Sequence, residues 1–174
     1  MRRFFLTAAF ACAAILPAEA AEQRWQEYSY PEAGFSANFP EAPKASSRLH
    51  ATSQAPSGVR EQVYSFDEGG VVYSIDIADF TGANADPDIV VSEAKRTLLD
   101  NGHVESEISL EIDLVHGTQY IVIGTDGTRT TDGIFFFKNQ LYQIQVVYPL
   151  SNSDPAGSSG IGFFLAHFRF LDPY

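Results

Sequence analysis

The sequence predicts a single α+β domain, in which a central antiparallel sheet of about six to eight strands carries two packed helices. Three observations indicate this fold. Apolar and polar side chains alternate along most of the chain, which is the pattern of half-buried strands. One stretch, at about 87–101, has helical spacing instead, and a second stretch with helical spacing lies at about 160–169. Strands and helices in this order are typical of layered α+β domains.

The densest strand signal is the segment 131–148, which predicts a hairpin on which the other strands assemble. Lys138 and Asn139 are expected to form its two-residue turn, because Asn tolerates the left-handed backbone of such turns. A turn at Asn139 and Gln140 leaves the same side chains on each face. One face carries Phe135, Phe137, Tyr142, Ile144, Val146 and Tyr148, and the other carries Ile134, Phe136, Leu141, Gln143, Gln145 and Val147. The aromatic first face predicts a thick core.

The first 20 residues predict an export signal. Arg2 and Arg3 supply the basic start, 4–16 the apolar run and Ala18-Glu19-Ala20 the cleavage motif. Cleavage after Ala20 leaves 21–174 as one periplasmic or secreted domain. Two alternatives stay open, namely retention of the segment as an anchor and lipidation at Cys12. The apolar run is shorter than a comfortable membrane span.

Composition excludes several classes of partner. The chain has 11 basic and 22 acidic residues, and loss of Arg2, Arg3 and Glu19 leaves 9 and 21, a net charge of −12. This surplus repels polyanions, so neither nucleic acid nor an anionic membrane surface is expected to bind. The single cysteine leaves with the signal, so we expect no disulfide. No later segment has membrane-spanning length.

The first half of the domain is predicted to hold five strands, at 24–30, 35–39, 44–52, 59–66 and 71–78. Turns are predicted between them at 31–34, 55–58 and 67–70. The third strand is polar, which favours an edge position. In the fifth strand Val71, Tyr73, Ile75 and Ile77 face one way, while Ser74 and Asp76 face the other. That alternation predicts a strand with one buried face.

The helix at about 87–101 has consistent signals at both ends. Asp86 is expected to cap it and Pro87 suits the first helical position. Asn101 and Gly102 predict a left-handed stop. Its apolar stripe is Val90, Val91, Ala94, Thr97 and Leu98. The stripe predicts packing against the sheet.

The second half begins with a strand at 104–114 that alternates with unusual regularity. Its predicted inward residues are Val104, Ile108, Leu110, Ile112 and Leu114, and its predicted outward residues are Glu105, Glu107, Ser109, Glu111 and Asp113. The acidic row is interpreted as a solvated face, with ion binding as the alternative. His116-Gly117 and Asp126-Gly127 are predicted turns on either side of a strand at 118–125. The C-terminal helix is predicted from Ile161, Phe164, Leu165 and Phe168.

Two stretches carry a resemblance to known proteins. The opening Trp25…Tyr30-Pro-Glu-Ala-Gly-Phe-Ser-Ala-Asn-Phe-Pro40…Pro43 and the ending Phe164-Leu-Ala-His-Phe168-Arg resemble exported bacterial proteins of unknown role. The order of elements is similar to the PsbP-like α/β/α sandwich. That resemblance implies a central antiparallel sheet with helices on its faces, and a binding or assembly role rather than catalysis. It implies no functional residue, because the family has no fixed catalytic set.

The sequence predicts no catalytic, cofactor or metal site. His50, His103, His116 and His167 stand far apart. The acids considered for acid–base work are Asp76, Asp79, Glu107 and Glu111, whose spacing forces no two together. The segment 84–95 imitates a calcium loop, but Ile89 replaces the required Gly and Lys95 the required Glu. Trp25 and Tyr174 are interpreted as packing residues, with ligand stacking as the alternative.

These observations predict an exported, non-catalytic binding or accessory module of unknown specific role. Its candidate partner-binding patch is Ile134, Phe136 and Leu141, which a helix must cover unless they are exposed. The expected partner is an unknown protein or an apolar small molecule. One alternative is a carrier of a lipid or other apolar ligand, which needs a cavity. The other is an enzyme with an unrecognised site.

Overall fold

The structure, a computed structural model, describes residues 25–100, 102–151 and 157–171, so the predicted signal at 1–20 lies outside the described residues. Ten strands and two α-helices lie within these ranges. The first five strands and the first α-helix are β1 (Gln26–Tyr30), β2 (Phe35–Phe39), β3 (Lys44–Thr52), β4 (Ala55–Glu68), β5 (Val71–Asp79) and α1 (Pro87–Leu99), with a short 3-10 helix at Pro31–Ala33. The others are β6 (Gly102–Ile112), β7 (Val115–Gly124), β8 (Thr128–Phe137), β9 (Gln140–Pro149), α2 (Gly157–Ala166) and β10 (Arg169–Phe170). In the described part of the chain, neither helix has the length and apolar character needed to cross a membrane.

The predicted fold class is confirmed. Seven antiparallel strands form the central sheet in the order β3-β4-β5-β9-β8-β7-β6, and polar β3 is an edge strand as predicted. A second sheet in the order β1-β2-β10 lies apart from it. The first two predicted strands therefore do not join the central sheet, because β2 pairs on both sides with β1 and the short β10.

The second sheet and α2 cover one face of the central sheet, which we call the aromatic face. Of the six residues predicted on this face of the hairpin, Phe135, Tyr142, Ile144 and Val146 are buried there, and Phe137 and Tyr148 are half-buried. Aromatic rings from the covering elements pack onto them, with Phe135 and Phe170 5.5 Å apart between ring centroids. Gly117 leaves room for this packing, because a Cβ there would lie 2.4 Å from Cδ1 of Phe135. These contacts make the aromatic face a closed core.

Helix α1 packs on the opposite face, which we call the helix face. Val90 and Ala94 of the predicted stripe are buried against side chains from β7, β8 and β9. The contacts of α1 concentrate on β8 and β6. The helix therefore covers one end of this face, and the part formed by β3, β4 and β5 borders an open groove.

Two local signals predicted the backbone correctly. Lys138 and Asn139 have φ values of 48° and 60°, which is the left-handed turn expected between β8 and β9. Asp86 caps α1, because its side chain accepts a hydrogen bond from the Asp88 amide. Both signals depend on residues that are adjacent in sequence, and the tertiary structure keeps the local backbone that they predict.

Several element boundaries differ by two or three residues from the approximate predicted ones. Helix α1 ends at Leu99, and Gly102 begins β6, where its close approach to the Ile123 carbonyl leaves no room for a side chain. Asn101 lies outside the described residues. Helix α2 begins and ends three residues before its predicted limits, because 169–170 pair with β2.

Two predicted turns are also displaced. The chain reverses at Asp113 and Leu114, with φ values of 50° and 66°, rather than at His116 and Gly117. The predicted turn at 55–58 belongs to β4, because the chain turns two residues earlier.

The inward row predicted for β6 is only partly correct. Ile112 is buried, but Ile108 is 51% and Leu114 65% exposed. β6 is the other edge strand, and its register shifts between Val104 and Ser106. An edge strand lacks a neighbour on one side, so alternation alone does not ensure burial there.

Candidate functional site

A row of polar side chains crosses the helix face. Side chains of directly opposed residues in an antiparallel pair point to the same face of the sheet. Strand pairing therefore aligns, from β4 to β6, Ser65, Ser74, Gln145, Asp132, Tyr120 and Glu107. The neighbouring row contains Asp76 opposite Gln143. The centre of this face therefore carries carboxylates where the aromatic face carries rings.

Asp132 is the most deeply buried of these carboxylates, with no exposed surface. Its Oδ2 accepts hydrogen bonds from Nε2 of Gln143 and of Gln145, each at 2.9 Å. Its Oδ1 has no hydrogen-bond partner among the described residues. Burial raises the pKa of Asp132 to about 7, and the two glutamine donors offset part of that effect. The ionised side chain thus lacks a full set of donors.

Asp76 lies nearer the surface, yet only 7% of it is exposed. Its Oδ2 accepts a hydrogen bond from Nη2 of Arg48 at 3.0 Å, while its Oδ1 has no partner among the described residues. Burial raises the pKa of Asp76 to about 6, against the opposing effects of the Arg48 charge and the Ser74 hydroxyl. The predicted solvent face of β5 is therefore wrong, because neighbouring strands and side chains enclose Asp76 and Ser74.

Glu61 completes the group. It lies opposite Arg48 in the pairing of β3 and β4 and accepts a hydrogen bond from Arg48 Nε. Nδ1 of His50 lies 3.1 Å from its other carboxylate oxygen. Burial alone would raise the pKa of Glu61, but the hydrogen bonds from His50 and Arg48 together outweigh it and lower that pKa. Of the three buried acids, Glu61 has partners on both oxygens.

These groups border an open groove of about 600 Å³ between α1 and the strands β3, β4, β5 and β9. The sheet contributes Arg48, His50, Glu61, Asp76, Gln143 and Gln145, and α1 contributes Glu93, Arg96 and Thr97. We call the groove, with the buried Asp132 behind the two glutamines, the acidic cleft. Its unpartnered carboxylate oxygens can accept hydrogen bonds or a proton. In the described part of the chain, no three His, Cys, Asp or Glu residues are grouped to hold a metal ion.

The predicted partner patch occupies a different place. Ile134 and Leu141 are each 1% exposed and Phe136 is half-buried, in the core that α1 covers. The ring of Phe136 lies 6.1 Å from that of Phe80. The sequence left two possibilities for this patch, cover by a helix or exposure, and helix α1 covers it. Ile134 and Leu141 therefore offer a partner almost no surface, and Phe136 offers only part of its ring.

The predicted acid candidates are not brought together. Asp76 joins the acidic cleft, whereas Glu107 accepts hydrogen bonds from Lys95 and Tyr120 at the far end of the helix face. Glu111 pairs with His116, and Asp79 binds the Thr81 amide. No spacing in the sequence had required them to meet.

The remaining candidates take structural positions. His50 lies in the acidic cleft, and the His167 ring stacks on Phe163 with 3.8 Å between centroids. His103 and His116 are exposed. Trp25 packs against Tyr73 at 5.3 Å, as the packing interpretation expects, and Tyr174 lies outside the described residues.

Sequence reasoning missed Arg48, Glu61 and Asp132. A signal existed for Asp132, because it is the one charged residue in a run that continues Gly-Ile-Phe-Phe-Phe. Gln143 and Gln145 alternate with apolar residues on the paired strand, so they fall on the same face. Arg48 and Glu61 gave no such signal, since each lies in a segment that contains several other polar residues.

Comparison with known proteins shows the fold. No protein family and no curated protein matches the chain. Among solved structures, the chain is similar to cyanobacterial PsbP (CyanoP) from Synechocystis sp. PCC 6803, with a TM-score of 0.55 and 13% identity. The match covers 93% of this chain and 98% of that one. The resemblance predicted from the sequence is thus confirmed at the level of architecture, and the chain has the PsbP-like fold.

Proposed function

We propose that this protein is an exported, non-catalytic binding or accessory module that recognises its ligand through the acidic cleft. One observation carries the proposal. Asp76 is 93% buried and lines an open groove of about 600 Å³, yet its Oδ1 has no partner among the described residues. A groove of this size is within the range of small-ligand sites.

The energetics support a binding role for these acids. Burying a carboxylate without a full set of donors disfavours the folded state. Asp76 and Asp132 each carry one such oxygen, and the aromatic face supplies a closed core without them. Ionisable groups held in this way, in a cleft, are candidates for function.

The arrangement supports binding better than catalysis. Arg48 donates to one oxygen of Asp76 and one of Glu61, so the two acids nearest the groove share its single positive charge. The groove also contains the His50 ring, which bonds Glu61, but among the described residues no hydroxyl or thiol is hydrogen-bonded to that ring as an activated nucleophile would be. A binding role also fits what the PsbP-like resemblance implies, and the signal predicted at 1–20 supports export.

A second candidate, a carrier of an apolar ligand, has one specific observation in its favour. A groove of about 500 Å³ lies beside α2 and is lined partly by Leu110, Ile112 and Leu165. Native mass spectrometry of the purified protein tests this candidate. A carrier should retain a bound apolar molecule, whereas the acidic-cleft proposal expects none at the α2 groove.

A fragment screen, monitored by changes in the NMR chemical shifts of the backbone amides, tests the proposed function. The library should contain cationic, neutral and anionic fragments in equal numbers. We expect the strongest hits to shift amides of β3, β4, β5 and β9 around the acidic cleft. Asp76→Asn should abolish those shifts, and Asp79→Asn, an exposed acid on the same strand, should preserve them. Hits that shift only residues around the α2 groove would contradict the proposal.

A further inference from the structure

We propose that the ligand of the acidic cleft is an organic cation, a guanidinium or ammonium group with several N–H donors. This inference rests on the proposed function of that cleft and names the chemistry of its ligand. The same group can come from a free small molecule or from an arginine or lysine side chain of a partner protein.

The balance of charge is the first argument. The acidic cleft contains three buried carboxylates, on Glu61, Asp76 and Asp132. Arg48, whose side chain is 61% exposed, contacts two of them, Glu61 and Asp76. Arg96 of α1 lines the groove too, but Glu93 on the same helix offsets its charge. The cleft is therefore short of positive charge where its acids are least exposed to water.

The unpartnered atoms are the second argument. Oδ1 of Asp76 and Oδ1 of Asp132 are both hydrogen-bond acceptors without donors among the described residues. Charged N–H donors make the strongest hydrogen bonds to carboxylates. An anion or a neutral acceptor would leave both oxygens unsatisfied. Both oxygens are enclosed, but Asp76 itself lines the groove, so a cation bound there would lie beside the carboxylate that carries one of them.

Arg48 shows that this site has the geometry for a guanidinium. Its Nε binds Glu61 while its Nη2 binds Asp76, so one planar group bridges two carboxylates. Planar, multiply donating recognition of this kind is what distinguishes a guanidinium from a point charge. A bound cation would meet Arg48 as a like charge. Arg48 is thus expected to weaken ligand binding, although it belongs to the cleft.

Three probe compounds test the inference. Isothermal titration calorimetry measures their affinities, and changes in the NMR shifts of backbone amides locate their binding site. N-acetyl-arginine N-methylamide represents a side chain in a protein, agmatine represents a free cation, and N-acetyl-citrulline N-methylamide is the neutral equivalent of the first. We expect at least one cation to bind the cleft at least about tenfold more tightly than the citrulline probe, a difference of about 1.4 kcal/mol. Tighter binding of agmatine indicates a free ligand, and tighter binding of the arginine derivative indicates a protein side chain.

Variants sharpen the test. Asp76→Asn should weaken cation binding at least about tenfold, and Arg48→Met should strengthen it by removing a like charge. The matched controls are Asp79→Asn and Arg60→Met, which make the same charge changes at exposed positions outside the cleft. Urea denaturation should first confirm that each variant is folded. The comparison of arginine and citrulline probes on the unaltered protein needs no variant.

The outcomes separate this inference from the proposed function. Equal binding of the arginine and citrulline probes would overturn the inference, as would loss of cation binding in Arg48→Met. If neutral or anionic fragments occupy the cleft and cations do not, the inference is wrong while the cleft remains a binding site. If no compound shifts the amides of the cleft, both proposals are wrong.

Discussion

The two faces of the central sheet are built in opposite ways. The aromatic face is closed by the second sheet and α2, and its rings contact one another, as Phe35 and Phe168 do at 5.8 Å. The helix face is covered at one end by α1 and borders an open groove at the other. The first face buries aromatic and aliphatic side chains, with the Tyr73 hydroxyl enclosed among them, whereas the second buries three carboxylates.

The difference between the two faces indicates which face stabilises the fold and which is available for binding. Apolar burial stabilises a fold in proportion to the area removed from water. Buried carboxylates with unfilled hydrogen bonds have the opposite effect. Gln143 and Gln145 show the contrast along one strand, since they bond Asp132 on the helix face while Ile144 and Val146 pack into the aromatic face. We infer that the aromatic face holds the fold and that the helix face carries the function.

The largest expected effect is at the centre of the aromatic face. Phe135→Ala should lower the free energy of unfolding by about 3–5 kcal/mol, because it removes a fully buried ring and leaves a cavity. Urea denaturation measures this loss. Phe137→Ala, at the half-buried rim of the same strand, is the control and should lose less. Equal losses would show that Phe135 is no closer to the centre of the core than Phe137.

The next effect tests the part of the helix face that α1 covers. Ile134→Ala should lower the free energy of unfolding by about 2–4 kcal/mol, because Ile134 packs under the helix. The same urea experiment applies. A loss below about 0.5 kcal/mol would instead indicate an exposed side chain. That outcome would restore the partner patch that the sequence suggested.

The pH dependence of stability is expected to be smaller. The pKa values of Asp76 and Asp132 are raised from an ordinary value of 3.8 to about 6 and about 7. The folded state therefore keeps protons that the unfolded chain has released, so stability should fall as pH rises from about 5 to 8. We expect a decrease of about 1–3 kcal/mol in the free energy of unfolding.

Glu61 does not reverse this trend. Its pKa is lowered from an ordinary value of 4.5, so the stability it contributes is lost only at more acidic pH. Urea denaturation at pH 5, 6, 7 and 8 measures the net effect. Constant or rising stability across this range would show that the buried acids have found partners.

The smallest effect is expected at the far end of the polar row. Glu107→Ala should change the free energy of unfolding by no more than about 0.5 kcal/mol, because its ion pair with Lys95 is exposed to solvent. Thermal melting at low and high salt is a suitable measurement. A larger loss of stability that does not depend on salt would show that Glu107 is part of the packed structure of the helix face rather than a solvent-exposed ion pair.

The sequence predicted most of the fold because its signals are local. Alternation along 131–148 assigns both faces of the hairpin correctly, and Asp86 with Pro87 places the start of α1. The pairing of β2 with β10 was not predictable in this way, because it joins segments more than 130 residues apart. The prediction that Ile108 points inward was wrong for a related reason, because alternation does not reveal which strand lies at the edge of a sheet.

The acidic cleft was harder to predict than the fold. Glu61 is buried only because β3 brings Arg48 opposite it and β5 brings Asp76 alongside. Neither partner is close to it in the chain. The position of Asp132 was partly predictable, since a charged residue within an aromatic strand is unusual and indicates a specific role. A search for polar residues sharing one face of central strands would have found it with Gln143 and Gln145.

The most direct test of this account is the stability of Asp132→Asn at pH 8. Asn keeps the size and a hydrogen-bonding oxygen of Asp132 but removes its buried charge. If the acids of the helix face serve binding rather than folding, Asp132→Asn should be more stable than the unaltered protein by more than about 1 kcal/mol in urea denaturation. A variant less stable than the unaltered protein would contradict the account.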